Sequence, residues 1–594
     1  MIAARSPPPR RLPIGRSVLI PTPTAPERRM LVAAHPTIAE SLDYAGDMPT
    51  GINVYSLRGE LAEVLNYGRL RDEARAMAGR LLGAGLEPGD RVALAAESDV
   101  DFLRTFFACQ YAGLVPAPLP LPSLLGGKEP YLAHVRRMLQ ASGAKAAFAP
   151  QSLADWYVDA ADGLGLAYAG GYGALPDASE TQLPTPDPDG LCYLQFSSGS
   201  TRFPLGVAVT QSALRANVAG MASPGGLAAN NEDRCVSWLP LYHDMGLVGI
   251  LMTTVMCQGS LDLLPTGAFV RRPGVWLDLI SKHRGTISYA PTFGYDLVAK
   301  RALAGKLGEL DLSSWRVAGL GGDMIRPEPL RLFTEAFAPA GFDPGAFNAS
   351  YGMAEATLCL TLTPVGGGLR TDNTDVDRLE REGVATAPAK RAGRAREFAL
   401  CGKILPDHVI EVRDAAGKIL PERRVGQIFA SGPSLMKTYF GEPEETAKVL
   451  SPDGWLDTGD LGYMVDGQIV ITGRAKDLII VNGRNVWPQD LEWTAEKEIT
   501  ALRQGDVAVF SITGELDETV VALVQCRASD PAAREALRAE VAKLLRVRHG
   551  LDVQVTLVPP RSLPETSSGK LSRSRARTLY LDGVLQEAPV SLMA

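Results

Sequence analysis

The feature that most restricts the fold is a repeated alternation of short apolar runs with amphipathic segments, over residues 31–188 and again over 213–338. The segment YGRLRDEARAMAGRLLGAGL (67–86) carries apolar residues at helical spacing and stops at EPGD. RVALAAES reads as a buried strand, DFLRTFFACQYAGLV as a helix and AKAAFAP as another strand. The second stretch repeats the pattern: SWLPLYHDMGLVGILMTTVMCQG, GSLDLLP, a helix over 274–282, GTISYAP, a further helix and WRVAGLGGD. Strand–helix units of this kind set parallel strands side by side and cover both faces of the sheet with helices. The 594 residues exceed what one core can organise, and length alone suggests about four domain-sized units.

The texture changes after NASYGMAEATL. Residues 364–397 are polar and charged with little periodicity, long for a connection inside a compact domain. HVIEVRDAAGKIL and QIFASGP then read as strands of a small antiparallel subdomain. A boundary falls at GRAKD (473–477), beyond which strands and an amphipathic helix over 531–548 form a compact α+β unit. The expectation is an α/β chain with a large N-terminal domain (31–474) and a smaller C-terminal domain (475–594). The basic, proline-rich residues 1–30 are expected to be a disordered extension.

Composition narrows the function. The net charge of −7 argues against a nucleic-acid binder. No run of 18 apolar residues exists to span a membrane, and the apolar patch at 18–20 is too short for a signal-peptide core. Seven scattered cysteines, with no C-x-x-C pair, read as buried thiols of a reducing compartment, so a cytoplasmic location is expected.

Six segments carry candidate chemistry. In LQFSSGSTRFPLGV (194–207) an apolar run meets Ser197, Ser198, Gly199, Ser200, Thr201 and Arg202, with Gly206 following. Glycine lets backbone N–H groups approach an oxyanion and the hydroxyls add donors, so the loop suits a phosphate, although it is not a Walker A sequence. A Ser/Gly-rich surface connection would look the same. LPLYHDMG holds His243 and Asp244; a lone histidine is as readily structural. AGLGGDMIRP ends a strand in Gly321, Gly322 and Asp323, which lets a flat ligand come close. SYGMAEAT sets Ser350, Tyr351, Gly352 and Met353 before Glu355, a candidate Mg²⁺ carboxylate or a helix-start residue. GWLDTGDLG offers Asp457 and Asp460 to a pair of hydroxyls, or merely as turn residues. LPETSSGKLSR ends in Lys570, which taken alone is a solvated lysine.

Together and in this order, the segments resemble the adenylate-forming superfamily of acyl-CoA synthetases, peptide-synthetase adenylation domains and luciferases, over residues 31–580. SSGSTRFPLGV, LPLYHDMGLVG, SYGMAEATL, the polar segment at 364–397 and GRAKDLIIVNGRNVWPQDLE resemble its fatty acyl-AMP ligase branch. The resemblance implies that ATP and a fatty acid give acyl-AMP and pyrophosphate, with Mg²⁺ held by Glu355 and the acyl group passed to an acyl carrier protein. It implies further that residues 197–206 hold the pyrophosphate, that Tyr351 lies against adenine beside 321–323, and that Asp460 and Arg474 fix the ribose. Lys570 would bridge carboxylate and α-phosphate, Lys476 would be the hinge, and His243 would lie near the acyl carboxylate. An acyl-CoA ligase of the same fold and a catalytically silent binding protein are the alternatives.

Three departures stand out. Leu205 occupies the place of a common phosphate-loop lysine, with Arg202 left to supply positive charge. Asp323-Met324 replaces a Glu-Pro, and Tyr289 either narrows an acyl tunnel or packs in the sheet. The segment at 364–397 matches an insertion thought to restrain the domain swing needed for transfer to coenzyme A. Between Arg527 and Arg577, eleven lysines and arginines against five acids suggest a docking face for an acidic carrier, with Arg573, Arg575 and Arg577 as candidates.

Overall fold

A computed structural model of the chain describes residues 29–122, 127–173, 175, 181–197, 204–305, 308–388, 394–481, 483–513, 518–566 and 569–585. The expected N-terminal extension thus lies almost wholly outside the described residues, as do Ser198, Gly199, Ser200, Thr201 and Arg202.

The alternating pattern folds as anticipated into parallel sheets. One has four parallel strands in the order Val115–Leu119, Arg91–Ala95, Ala144–Ala149, Tyr168–Gly171. A larger sheet runs through Gly51–Tyr55, Ser260–Leu263, Arg234–Ser237, Ile287–Ala290, Val317–Leu320 and Phe347–Gly352, all mutually parallel. Helices such as Tyr67–Gly83 and Val100–Tyr111 begin on Asn66 and Asp99, whose side chains accept from backbone N–H groups of the first turn.

The antiparallel strands expected as a small subdomain continue this sheet. Phe347–Ala349 pairs parallel with Val317–Leu320, whereas Ser350–Gly352 pairs antiparallel with Cys359–Leu362, so one strand belongs to both parts. The order then runs on through Ala395–Ile404, Gln468–Arg474, Leu456–Val465, Gly426–Ser431 and Val409–Arg413. A third sheet pairs Gly206–Thr210 with Leu191–Phe196 on one side and Thr438–Tyr439 on the other.

The polar segment is also more ordered than its texture suggests. Thr371–Asp375 pairs with Ala395–Ile404, and Asp375 caps the helix Val376–Glu382. That helix is seven residues long with two buried apolar side chains, Val376 and Leu379, too few to show a period. Residues 389–393 of the segment lie outside the described residues.

Past residue 474 the chain builds its own small sheet, Val507–Thr513, Glu518–Gln525 and Val553–Val558, packed by Pro488–Glu498, Pro531–His549 and Arg573–Leu581. Two buried apolar clusters draw only on residues 479–585. Trp487 leaves this group and packs with Leu379, Phe398, Leu400 and Tyr463, tying the C-terminal part to the polar segment.

Candidate active site

A cavity of about 1450 Å³ lies between the large sheet and the C-terminal part. Its wall takes in Ser197, His243, Asp244, Gly322, Asp323, Ser350, Tyr351, Gly352, Met353, Glu355, Asp460, Arg474, Lys476 and Lys570. Nearly every candidate drawn from the described sequence therefore faces one space. Gly206 and Gly321 stand just behind it. Gly206 opens a buried strand opposite Phe196, and a Cβ on Gly321 would sit 2.8 Å from the Ser350 hydroxyl.

The described ends of the phosphate-loop candidate lie at this wall. Ser197 N–H donates to the Leu205 carbonyl at 2.9 Å, and both residues line the cavity, so the ends of the loop are closed together there. Phe440 N–H donates to the Gly206 carbonyl at 2.7 Å and extends the same sheet.

Three of the carboxylates that line the cavity have different partners. Tyr351 sits on the shared strand, and its hydroxyl donates to Asp460 Oδ2 at 2.8 Å. Arg474 Nε lies 3.3 Å from Asp460 Oδ1. Burial pushes the Asp460 carboxyl up, opposed by Arg474, Tyr351, Lys476 and Lys570. Burial also raises Glu355, against the hydroxyl of Tyr439, which donates to its Oε1 at 2.8 Å. Asp244 behaves oppositely: burial disfavours its charge, but the adjacent His243, Lys570 and the Met245 N–H together hold it below the usual carboxylate range. His243 Nδ1 is 3.1 Å from Asp244 Oδ1. Lys570 is thus close enough for its charge to act on both Asp244 and Asp460.

The turn that presents Glu355 is strained and braced. Thr357 stands in the left-handed region at φ +67°. Its hydroxyl donates to the Ser434 carbonyl, while Asn217 donates to the carbonyls of Ala356 and Cys359. Behind His243, residues Leu247–Met252 form a π-helix, and Gly249 brings its backbone to the cavity wall. Sequence reasoning missed Tyr439, Asn217 and Ser434, which carry no motif.

One expectation is corrected, and of two alternatives one is met. Arg573 is not a free surface charge: it is bound to two carboxylates, described below. Tyr289 packs in the sheet, its ring covering Gly319 and its hydroxyl donating to Asn348 Oδ1 at 2.6 Å, and it borders the cavity from there.

The model of the AMP-binding enzyme family matches residues 52–440. The chain belongs to that family. This AMP-binding enzyme is 56% identical over 568 residues to a Caulobacter vibrioides protein named "Putative acyl-CoA synthetase", covering 96% of this chain and 99% of that one. It is 31% identical over 575 residues to the medium-chain-fatty-acid–[acyl-carrier-protein] ligase JamA of Moorena producens, covering 93% and 96%. A solved structure from work on fatty acyl-adenylate ligases of E. coli and L. pneumophila superposes with a TM-score of 0.89 at 42% identity, covering 93% of this chain and 99% of that one. The fold is the α/β adenylate-forming fold, a large N-terminal part followed by a small C-terminal one, and the protein is an adenylate-forming ligase. Among the described residues no helix is long and apolar enough to cross a membrane. All seven cysteines are unpaired and buried.

Proposed function

We propose that the protein activates a medium- or long-chain fatty acid with ATP and transfers the acyl group to the phosphopantetheine thiol of an acyl carrier protein. One observation carries the reading: the Lys570 loop, the Tyr351–Glu355 segment and the Asp460–Arg474 pair meet at one cavity whose lining also includes the apolar side chains of Met221, Leu227, Leu358 and Phe293. A nucleotide and an aliphatic acid need polar and apolar lining in one space.

In the first step a carboxylate oxygen attacks the α-phosphorus, and the bond from that phosphorus to the pyrophosphate oxygen breaks. The protein's contribution is positioning and charge compensation. Asp460, steadied by Tyr351 and Arg474, accepts from the ribose hydroxyls. Tyr351 and the Gly321–Gly322–Asp323 turn flank the adenine. The departing pyrophosphate is assigned to the segment bounded by Ser197, on the cavity wall, and Gly206. Lys570 lies between the α-phosphate and the incoming carboxylate, where negative charge builds up. His243, with Nδ1 turned to Asp244, presents Nε2 toward the acyl carboxylate. Among the described residues no group of three or more metal-ligating side chains is preassembled. One carboxylate with substrate phosphates is nonetheless the usual way a protein holds Mg²⁺, and Glu355 fits that role. The ion would offset phosphate charge. Domain limits at 31–474 and 475–594, with the hinge at Lys476, complete the reading.

The choice of acceptor rests on residues 364–397. Glu380, 2% exposed, accepts from Arg394 at 2.5 Å and from Arg484 of the C-terminal part at 2.6 Å. Arg396 reaches Asp490 at 2.6 Å and lies over Phe398, Trp487 and Trp493. These contacts hold the C-terminal part where Lys570 faces the cavity, and so oppose the rotation that coenzyme A transfer requires. The name carried by the Caulobacter relative favours the second reading, an acyl-CoA ligase. The test is to supply acyl-AMP with a phosphopantetheinylated carrier or with coenzyme A and to follow each product by mass. Faster carrier loading supports the first reading; faster acyl-CoA formation reverses the choice.

A further inference from the structure

Lys570 sits on a short hairpin. Thr566 N–H donates to the Lys570 carbonyl at 2.7 Å, Lys570 N–H to the Thr566 hydroxyl at 3.3 Å, and Glu565 pairs with Leu571. Ser572 N–H donates to the Pro564 carbonyl at 2.9 Å and closes the base of the hairpin. The next residue is Arg573, first in the helix Arg573–Leu581.

Its guanidinium joins three segments. Nε and Nη2 donate to the two oxygens of Glu492 at 2.8 and 2.6 Å, a fork-to-fork pair, and Nη1 donates to Asp477 Oδ2 at 3.1 Å. Glu492 lies on the helix Pro488–Glu498, is 3% exposed, and also accepts from Val509 N–H of the C-terminal strand Val507–Thr513. Asp477 directly follows Lys476, where the chain crosses into the C-terminal part. One side chain therefore ties the exit of the lysine hairpin to a buried helix and to the crossing point itself.

We propose that Arg573 is a positioning residue that fixes the Lys570 hairpin to the hinge end of the C-terminal domain, so that rotation about the hinge delivers the Lys570 ammonium without slack. The proposal rests on the adenylation reading above and gives Arg573 no contact with substrate. A lysine ammonium on a four-carbon stem has little rigidity of its own, so its aim depends on the backbone that carries it. Misplacing a reacting group by about 1 Å can cost on the order of 100-fold in rate. Arginine suits the role because two carboxylates share one planar fork, which a lysine cannot span.

The test measures pyrophosphate release from ATP with dodecanoate and with hexadecanoate for full-length protein, in wild type, Arg573→Met, Arg573→Lys, Lys570→Ala and the Lys570→Ala/Arg573→Met pair. Arg573→Met is expected to lower kcat by about 10- to 100-fold with KM for ATP nearly unchanged, and Arg573→Lys to recover only part of it. The decisive figure is the double variant, which should be no slower than Lys570→Ala alone, because a group acting through the lysine has nothing left to position. An Arg573→Met enzyme as fast as wild type, or a double variant slowed by the product of the two single effects, overturns the proposal. Should Arg573→Met fail to fold, Asp477→Asn slackens only the hinge contact; it should show the same kcat loss on a smaller scale, and no loss overturns the proposal. A wild type that releases no pyrophosphate with either acid would remove the adenylation reading itself, an outcome distinct from a negative result on Arg573.

Discussion

Replacing Arg396 by methionine is the sharpest way to loosen the docking of the C-terminal part. The guanidinium is 10% exposed, 2.6 Å from Asp490 and 4.1 Å from the centre of the Phe398 ring. Burial already raises the Asp490 carboxyl to about 6, even with Arg396 beside it. Without the arginine, Asp490 rises further and takes up a proton, which caps the electrostatic loss. From a pKa near 6 to an assay at about pH 7.5, that cap is roughly 2 kcal/mol. Lost cation–π contacts with Trp487 and Trp493, the two rings across the seam, add on the order of 1 kcal/mol once methionine has refilled part of the space. A docking loss of about 3 kcal/mol multiplies the undocked population by roughly 100-fold. Hydrogen exchange at the helix Pro488–Glu498 should rise accordingly, and acyl-CoA should appear when coenzyme A is supplied. Removing both charges, Arg396→Met with Asp490→Leu, should restore much of the docking, because a buried pair replaced by apolar groups costs far less than a pair broken on one side. Unchanged exchange in Arg396→Met, or a double variant looser than the single, would refute this account of the latch.

Other outcomes follow from the same geometry. Glu496 is raised to about 8, by burial first and Glu492 second, while accepting from the N–H groups of Gly505 and Val507. The unfolded chain loses this proton near its ordinary value of about 4.5 and the folded one near 8, so stability falls as pH rises through that window. Thermal unfolding of Glu496→Gln should therefore exceed wild type by more at the alkaline end than at pH 5, and parallel curves would discount the shift. Asp460→Asn should raise KM for ATP by about 10-fold or more while leaving the fold intact by circular dichroism, because it removes the acceptor that Tyr351 and Arg474 orient. Arg575 and Arg577 are exposed on the last helix, unlike Arg573. Charge reversal at both should slow loading of an acidic carrier and spare acyl-AMP formation, and an equal loss of both would reject docking there. Deleting residues 366–395 should bring on acyl-CoA formation, and no gain would count against restraint by that segment.

Much of the molecule was legible in its sequence because the signals were local. RVALA, AKAAFA and VAGL are apolar runs bounded by turn residues, and each is a strand of a parallel sheet. The site segments were legible one by one only as candidates, since glycine, hydroxyl and acidic residues serve turns and surface loops as readily, and it was their order along the chain that singled them out. Their joining was not. Tyr351 meets Asp460 across 109 residues and Glu355 meets Tyr439 across 84, distances at which no spacing rule operates. Charge counting failed at Arg573 for a related reason. Sequence shows a charge but not its partner, and Glu492 lies 81 residues upstream. The polar segment misled because its order comes from ion pairs with a distant part of the chain, such as Arg484 with Glu380, and not from an apolar period of its own.

The account stands on one cavity serving both nucleotide and aliphatic acid. Incubating the purified protein with ATP, Mg²⁺ and labelled pyrophosphate, with and without a fatty acid, tests this most directly. Label should enter ATP only when the acid is present, and mass analysis of the quenched mixture should find the matching acyl-AMP. Exchange that ignores the fatty acid, or none across a range of chain lengths, would contradict it.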